Sequence, residues 1–390
     1  MTDSLYSVNT PQAFWQVQTH ISPEVWEAAI AHALPKLGLG ADNLEAALHL
    51  SLGEGQFGPD HWQLSFAKRA YYLLKPFLPR SLTRIMRKAY SGSIEASFPL
   101  GWPAEERYAL FLWECIRQVL LLTGMDSLPF LNFWPGDFQT SFILTHDIET
   151  AEGQAFAAKV ADLEQQYGFL SSFNFIPERY PLDRNLIANL RNRGFEIGVH
   201  GLHHDGKLFF SRQKFEHRAD KINQTLIVLQ ATGFRAPLTH RNPHWMQALD
   251  IEYDLSFFDS DPYEPIPGGT MSLWPFQMGH FIELPYTLVQ DYTLVNILKA
   301  SHPQVWLDKV DFLQKYRGMI LLNTHPDYLK QPENWKVYED FLKVMSIKRS
   351  TFWHALPYQA AAWWHARQTV DHTAHVVHAV LHNDQLHIEK

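Results

Sequence analysis

Short apolar runs and longer stretches of helical spacing alternate through the second half of the chain. Seven runs have strand character: Phe142–Leu144, Ser171–Ile176, Phe195–Val199, Gly233–Arg235, Leu255–Phe258, His280–Leu284 and Gly318–Leu322. Helix-period stretches separate several of them, at Ala151–Tyr167, Asp183–Arg193, Lys214–Ala231, Pro303–Tyr316 and Glu333–Lys348. A parallel strand pair needs a crossover, usually a helix, so this alternation predicts an α/β parallel sheet or barrel.

The flanking regions read differently. Residues 1–135 are mainly helical, with helices predicted at Pro23–Leu37, Asn43–Leu52 and, after Pro103, Glu105–Leu122. The turn Phe133-Trp134-Pro135-Gly136-Asp137 marks the boundary to a second unit, 136–349. Residues 350–390 form a C-terminal extension. Within it Trp353–Gln368 reads as helix, and Val376–Leu381 and Gln385–Ile388, split by Asn383-Asp384, as a hairpin. Five histidines lie in this tail (His372, His375, His378, His382 and His387); they read first as exposed structural or incidental residues, with a tail metal site as the alternative.

Composition narrows the function classes. Of 390 residues 46% are hydrophobic, enough for a large core, and the net charge of −8 argues against nucleic acid as the main partner. The single cysteine, Cys115, excludes a disulfide framework and a cysteine-based metal site. The N-terminus lacks the basic and apolar regions of a signal peptide and no aliphatic run could span a membrane, so a cytoplasmic location is expected. Most of the 13 Trp and 26 Phe are expected in the core. Between His61 and Ile94 there is no acid, while Lys68, Arg69, Lys75, Arg80, Arg84, Arg87 and Lys88 are basic. A solvated face explains such a run; the sharper alternative is peripheral contact with an anionic membrane surface or a phosphate-bearing substrate through residues 61–94.

The chemistry gathers where strands end. The first strand runs into Thr145-His146-Asp147-Ile148-Glu149, and the third into His200-Gly201-Leu202-His203-His204. Parallel α/β folds place their sites at the C-terminal edges of strands. His200 and His204, four apart, suit one metal if the segment makes a helical turn. With an acid from the first strand they would form a three-ligand site with an open position, as in catalytic rather than structural zinc. Asp147 and Glu149 are two apart, so an extended backbone points both carboxylates the same way. Arg235-Ala236-Pro237 and Asn323-Thr324-His325-Pro326 add polar groups at later strand ends.

This ordered set resembles the polysaccharide deacetylase (NodB-homology, carbohydrate esterase family 4) superfamily over roughly residues 138–345. The resemblance implies a distorted (β/α) barrel of about seven strands. It also implies a divalent metal, most often Zn2+, and hydrolysis of an N-acetyl group from an amino sugar or of a related amide or ester. Carried over residue by residue, it makes Asp147 the catalytic base, His200 and His204 metal ligands, Arg235 the residue holding the base, and His325 the general acid. The commoner family pattern has two adjacent aspartates, and Ile148 stands in the second place here. The sequence is similar to an acid-x-acid subset, which makes Glu149 the third ligand. Asp147 as ligand with His146 as base remains the alternative.

The expected activity is therefore metal-dependent deacetylation of an amino-sugar-containing glycan or glycan precursor, nucleotide- or lipid-linked. The alternatives are hydrolysis of a cyclic amide or ureide C–N bond on the same barrel, and non-catalytic glycan binding by a decayed site.

Overall fold

The computed structural model describes residues 5–59, 61–62, 97–367 and 375–390. Its strands are β1 (Ser127–Leu131), β2 (Thr140–Ile148), β3 (Ser172–Phe175), β4 (Glu196–Val199), β5 (Gly233–Phe234), β6 (Tyr253–Asp254), β7 (Phe276–Met278), β8 (Phe281–Glu283), β9 (Met319–Thr324), β10 (Phe352–His354), β11 (Val376–His382) and β12 (Gln385–Glu389). Eight of them pair in parallel, seven in the order β9-β2-β3-β4-β5-β6-β8 and β10 beside the start of β2. The alternation predicted a parallel sheet or barrel, and this is the distorted barrel of about seven strands that the resemblance implied. Helices Ala151–Gln166, Arg184–Asn192, Arg212–Val228 and Gln304–Lys315 supply crossovers. All nine residues of β2 are buried, as expected of a central parallel strand covered on both faces.

The barrel does not close by a regular ladder. Between β8 and β9 the seam is held by the segment after β8: the Thr287 and Leu288 N–H groups both donate to Leu321 O, and Thr287 Oγ1 donates to Met319 O at 2.7 Å. The apolar run Leu255–Phe258, expected as a strand, lies just past the short β6. Leu255 N–H still donates to Phe234 O, but the next two donors are drawn away by side chains: Ser256 N–H donates to Asp254 Oδ2 (3.1 Å) and Phe257 N–H to Glu283 Oε1 (3.2 Å). Carboxylates that capture amide protons leave little for a ladder.

Strand pairing runs across both expected divisions of the chain. In place of the start of the predicted helix Trp353–Gln368, β10 pairs in parallel with Thr140–Phe142 of β2, and the helix covers only Pro357–Ala366. His354 secures this pairing, bonding Phe142 O through Nδ1 (2.9 Å) and accepting the Leu170 N–H at Nε2 (2.8 Å). β1, from before position 135, pairs antiparallel with β11 of the tail. The hairpin β11–β12 turns at Asn383 and Asp384, both at positive φ, as a two-residue hairpin turn requires.

Of the N-terminal helices Pro23–Ala33, Leu44–Leu50 and Arg107–Thr123, the first and last pack against each other. Phe14, Trp113 and Phe133 pack around Trp274, and Trp15 packs against Phe133, so the aromatic richness there is core. A buried ion pair also fastens the region to the barrel: Arg241 grips Glu54 at 2.6 and 2.8 Å, and the Gly269 N–H donates to the same carboxylate. Burial alone would raise the Glu54 pKa; Arg241 and His61 outweigh it and hold the group down at about 2. Nearly all of the basic run His61–Ile94, and with it the expected membrane contact, lies outside the described residues, as does His372.

Candidate active site

β2 sets the site by its pleat. Alternate side chains point to opposite faces, and Thr145 and Asp147 face the barrel interior. Asp147 is 2% exposed and wrapped by donors. Asn174 Nδ2 from β3 donates to its Oδ1 (3.1 Å), Asn323 Nδ2 from β9 to its Oδ2 (2.9 Å), and Arg235 Nη1 lies 3.5 Å from Oδ1. Burial pushes the Asp147 pKa up, but His200, Arg235 and His325 more than reverse it, and the carboxylate is held well below its ordinary range. Arg235 is locked in turn, donating to Leu255 O (2.8 Å) and Thr145 Oγ1 (2.9 Å).

His146 points the other way. Nε2 meets Glu164 at 2.7 Å and Nδ1 meets Thr324 Oγ1 at 2.7 Å, behind the sheet. The reading of His146 as alternative base is therefore corrected: the pleat that brings Asp147 inward turns its neighbour outward. Asp147 is no helix cap either, because Thr150 caps the following helix.

Glu149 and the two histidines converge next to Asp147. Among the described residues, Glu149, His200 and His204 form the group whose donor atoms all lie within 4.8 Å of one another. The route differs from the expected helical turn. After β4 the chain bends through Gly201 (φ 64°), His204 (φ 53°) and Gly206 (φ 71°), and this loop brings the two imidazole centroids within 5.2 Å, tilted 52° to each other. A histidine at positive φ is uncommon and costs backbone energy, so the surrounding structure imposes it. The His200 Nδ1 bonds Arg235 O at 3.1 Å, which turns Nε2 toward the interior. Burial lowers the His200 pKa to about 4, keeping the ring neutral as a ligand must be.

The donor set fits a divalent ion. His204 Nε2 is buried without a hydrogen-bond partner, although Glu149 Oε1 lies 2.9 Å away in unaligned contact. A buried imidazole nitrogen without a hydrogen-bond partner, beside a carboxylate oxygen, is a donor pair that a divalent ion would satisfy. Despite burial, His204, His325 and His200 hold the Glu149 carboxyl well below its usual range. Two imidazoles and one carboxylate leave coordination positions open. Glu149 is anchored by its backbone, whose N–H donates to Asp327 Oδ2 at 3.1 Å.

His325 completes the cluster from β9. Its backbone N–H donates to Asp291 Oδ2 (2.8 Å), its Nδ1–H to Asp291 Oδ1 (2.7 Å), and Nε2 faces Asp147 Oδ2 at 3.9 Å. Burial disfavours the cation, but Asp291 foremost, then Glu149 and Asp147, raise the pKa to about 10. The structure thus brings together all six residues singled out by sequence.

Sequence reasoning passed over the layer behind them. Asp291 orients His325. Gln290 Oε1 accepts from Asn323 Nδ2 (3.2 Å), and Gln290 Nε2 donates to Glu264 (2.6 Å). Both residues belong to the segment that closes the barrel seam. A polar Asn174 within the apolar strand Ser172–Phe175 was the one signal for this layer in the sequence.

No protein-family model and no curated protein sequence matches the chain. Solved structures do. A structure assigned as a polysaccharide deacetylase from Mycobacterium smegmatis aligns with a TM-score of 0.50 at 17% identity, over 61% of this chain and 94% of that one. One assigned the same way from Pseudomonas aeruginosa PAO1 gives 0.49 at 14%, over 62% and 96%. The Puue allantoinase gives 0.48 at 13%, over 60% and 93%. At such identities the likeness is one of fold: the chain shares the barrel fold of the first of these structures.

Proposed function

We propose that the protein is a metal-dependent hydrolase that removes an N-acetyl group from an amino-sugar-containing glycan or glycan precursor. The observation that carries this is the convergence of Glu149, His200 and His204 beside two separately tuned groups, an ionised Asp147 and a protonated His325. Amide hydrolysis needs a base and an acid in one site, and environments that push two groups apart assign the roles.

Glu149, His200 and His204 would hold the ion, most simply Zn2+, which polarises the amide carbonyl and acidifies water. Asp147 takes the proton from the attacking water. Its charge is kept available by Arg235, and its direction is fixed by Asn174 and Asn323. His325 Nε2 donates to the leaving nitrogen while Nδ1 stays on Asp291. The geometry supports the assignment of Asp147 as base over the alternative with His146, whose two nitrogens are engaged behind the sheet. A nucleotide- or lipid-linked precursor remains the finer reading of the substrate.

The test is acetate release from N-acetylated nucleotide-sugar and lipid-linked precursors with and without Zn2+, in wild type and variants. His200→Ala or His204→Ala should abolish Zn2+ retention and turnover while the far-ultraviolet spectrum is kept. Asp147→Asn should retain the metal and lose kcat by roughly 10²-fold or more. Glu149→Gln should weaken metal affinity, with activity partly restored by excess metal. Metal lost from Asp147→Asn but retained in Glu149→Gln would reverse the two roles. Ring opening of a cyclic amide without acetate release would replace the substrate class.

A further inference from the structure

The C-terminal hairpin gathers metal-ligand side chains near Arg317 and Asp137, which precede β9 and β2, at the opposite end of these strands from the site. In its register, His378 lies opposite Glu389, Val380 opposite His387, and His382 opposite Gln385. Paired residues share a face, and so do residues two apart. His378, His382, His387 and Glu389 therefore stand on one side of the hairpin. The other side carries Val377, Ala379, Leu386 and Ile388, which belong to the hydrophobic core or pack against it. Solvent exposure calls for polar residues at the outward positions, but any polar residue would serve. Three imidazoles and a carboxylate, without a lysine or arginine among the residues of that face (378, 380, 382, 385, 387 and 389), are a donor set.

Two of the four already meet. His382 Nε2 lies 2.7 Å from Glu389 Oε1, spanning the two strands diagonally. His387 stands between them, its ring 5.2 Å from that of His382. His382, His387 and Glu389 are all exposed, so turning the His387 ring to bring a third donor onto the pair displaces no packed neighbour. His378, opposite Glu389, is available as a fourth. Two or three imidazoles with one carboxylate suit a borderline divalent ion such as Zn2+.

We infer that this face is a second Zn2+ site, formed by His382, His387 and Glu389. It joins a residue of β11 to two of β12. β12 is an edge strand whose partner is β11 alone, and the ion would cross-link the two strands where the backbone ladder has no further neighbour. Its role is to staple the C-terminal edge strand, separately from catalysis.

The experiment uses the full chain, stripped with chelator and titrated with Zn2+ by calorimetry. Wild type should bind two equivalents and His382→Ala/His387→Ala one, with turnover in Zn2+ unchanged. Glu389→Gln should keep two but weaken the second by roughly tenfold or more, since losing a ligand costs at least as much as losing a partner that supports one. Amide exchange of Gln385–Glu389 should slow with Zn2+ in wild type and not in the double variant. Equal stoichiometry in wild type and double variant, or exchange at 385–389 indifferent to Zn2+ in wild type, would overturn the site.

Discussion

Two buried histidine–carboxylate pairs flank the same strand of the barrel. His325–Asp291 lies on the inner side of β2 and His146–Glu164 on the outer side, and each pair is 2.7 Å apart. By pairing and burial alone they are equivalent. They differ at the second nitrogen. His146 Nδ1 is occupied by Thr324 Oγ1 at 2.7 Å, and its ring is stacked on Phe173. His325 Nε2 looks across 3.9 Å to Asp147, beyond hydrogen-bond reach, at the edge of the three-donor cluster. A carboxylate on one nitrogen fixes orientation and charge. Chemistry also requires that the other nitrogen be left for a substrate.

The comparison breaks most visibly if His325 can be removed without loss. His325→Gln should lower kcat by roughly 10²- to 10⁴-fold, the range of a lost general acid, with metal content unchanged. Single-turnover acetate release at saturating substrate measures it. A kcat within a few-fold of wild type would show that the inner pair is structural like the outer one.

Asp291→Asn sharpens the comparison by altering charge while keeping shape. The His325 pKa is raised to about 10, with Asp291 the leading favourable cause. A protonated acid loses activity as pH rises through its pKa, so the alkaline limb of kcat should move toward the ordinary histidine value of about 6.5. At neutral pH the loss should be roughly 10- to 100-fold, as for other orienting partners. Stability follows the same sign. A folded pKa above the unfolded one stabilises fully below about pH 6.5, and that contribution disappears as pH climbs toward about 10. Urea midpoints of the metal-free chain should therefore fall across this window in wild type and fall less in Asp291→Asn. An unmoved alkaline limb would leave Asp291 without the role of holding the proton.

The same contrast explains what could be read in advance. Each parallel strand signals itself by an apolar run, and the pleat decides which neighbour faces in, so Asp147, Arg235 and His325 were visible at strand ends. The spacing of His200 and His204 was visible too, but not the means of bringing them together. A left-handed residue at position 204 has no residue-type signature when that residue is histidine. Thr287, Gln290 and Asp291 were illegible because they follow no period. They matter because the barrel seam is closed by their segment instead of a ladder, and that is decided by contacts more than thirty residues apart. β10 was hidden for a similar reason, since three residues beside a helix form a strand only when the exposed edge of β2 is there to pair with.

The smallest catalytic effect belongs to the outer pair, where the expected change is in stability. Glu164 gathers His146 Nε2, Ser171 Oγ at 2.5 Å and the Tyr338 hydroxyl in a fully buried pocket between β2 and the helices that cover it. His146→Ala removes the group that faces Glu164 Oε1 and Thr324 together and leaves a void against Phe173. A buried carboxylate stripped of one partner but keeping two hydroxyl donors should cost about 2–4 kcal/mol, between the values for a lost hydrogen bond and a broken buried ion pair. Chemical denaturation should show it as a lower midpoint at unchanged slope. At a temperature where the variant is still folded, its kcat should stay within a few-fold of wild type, because no atom of His146 reaches the inner face. A hundredfold loss of kcat with stability intact would mean that the two sides of β2 are coupled, and the outer pair would then have to be counted with the site.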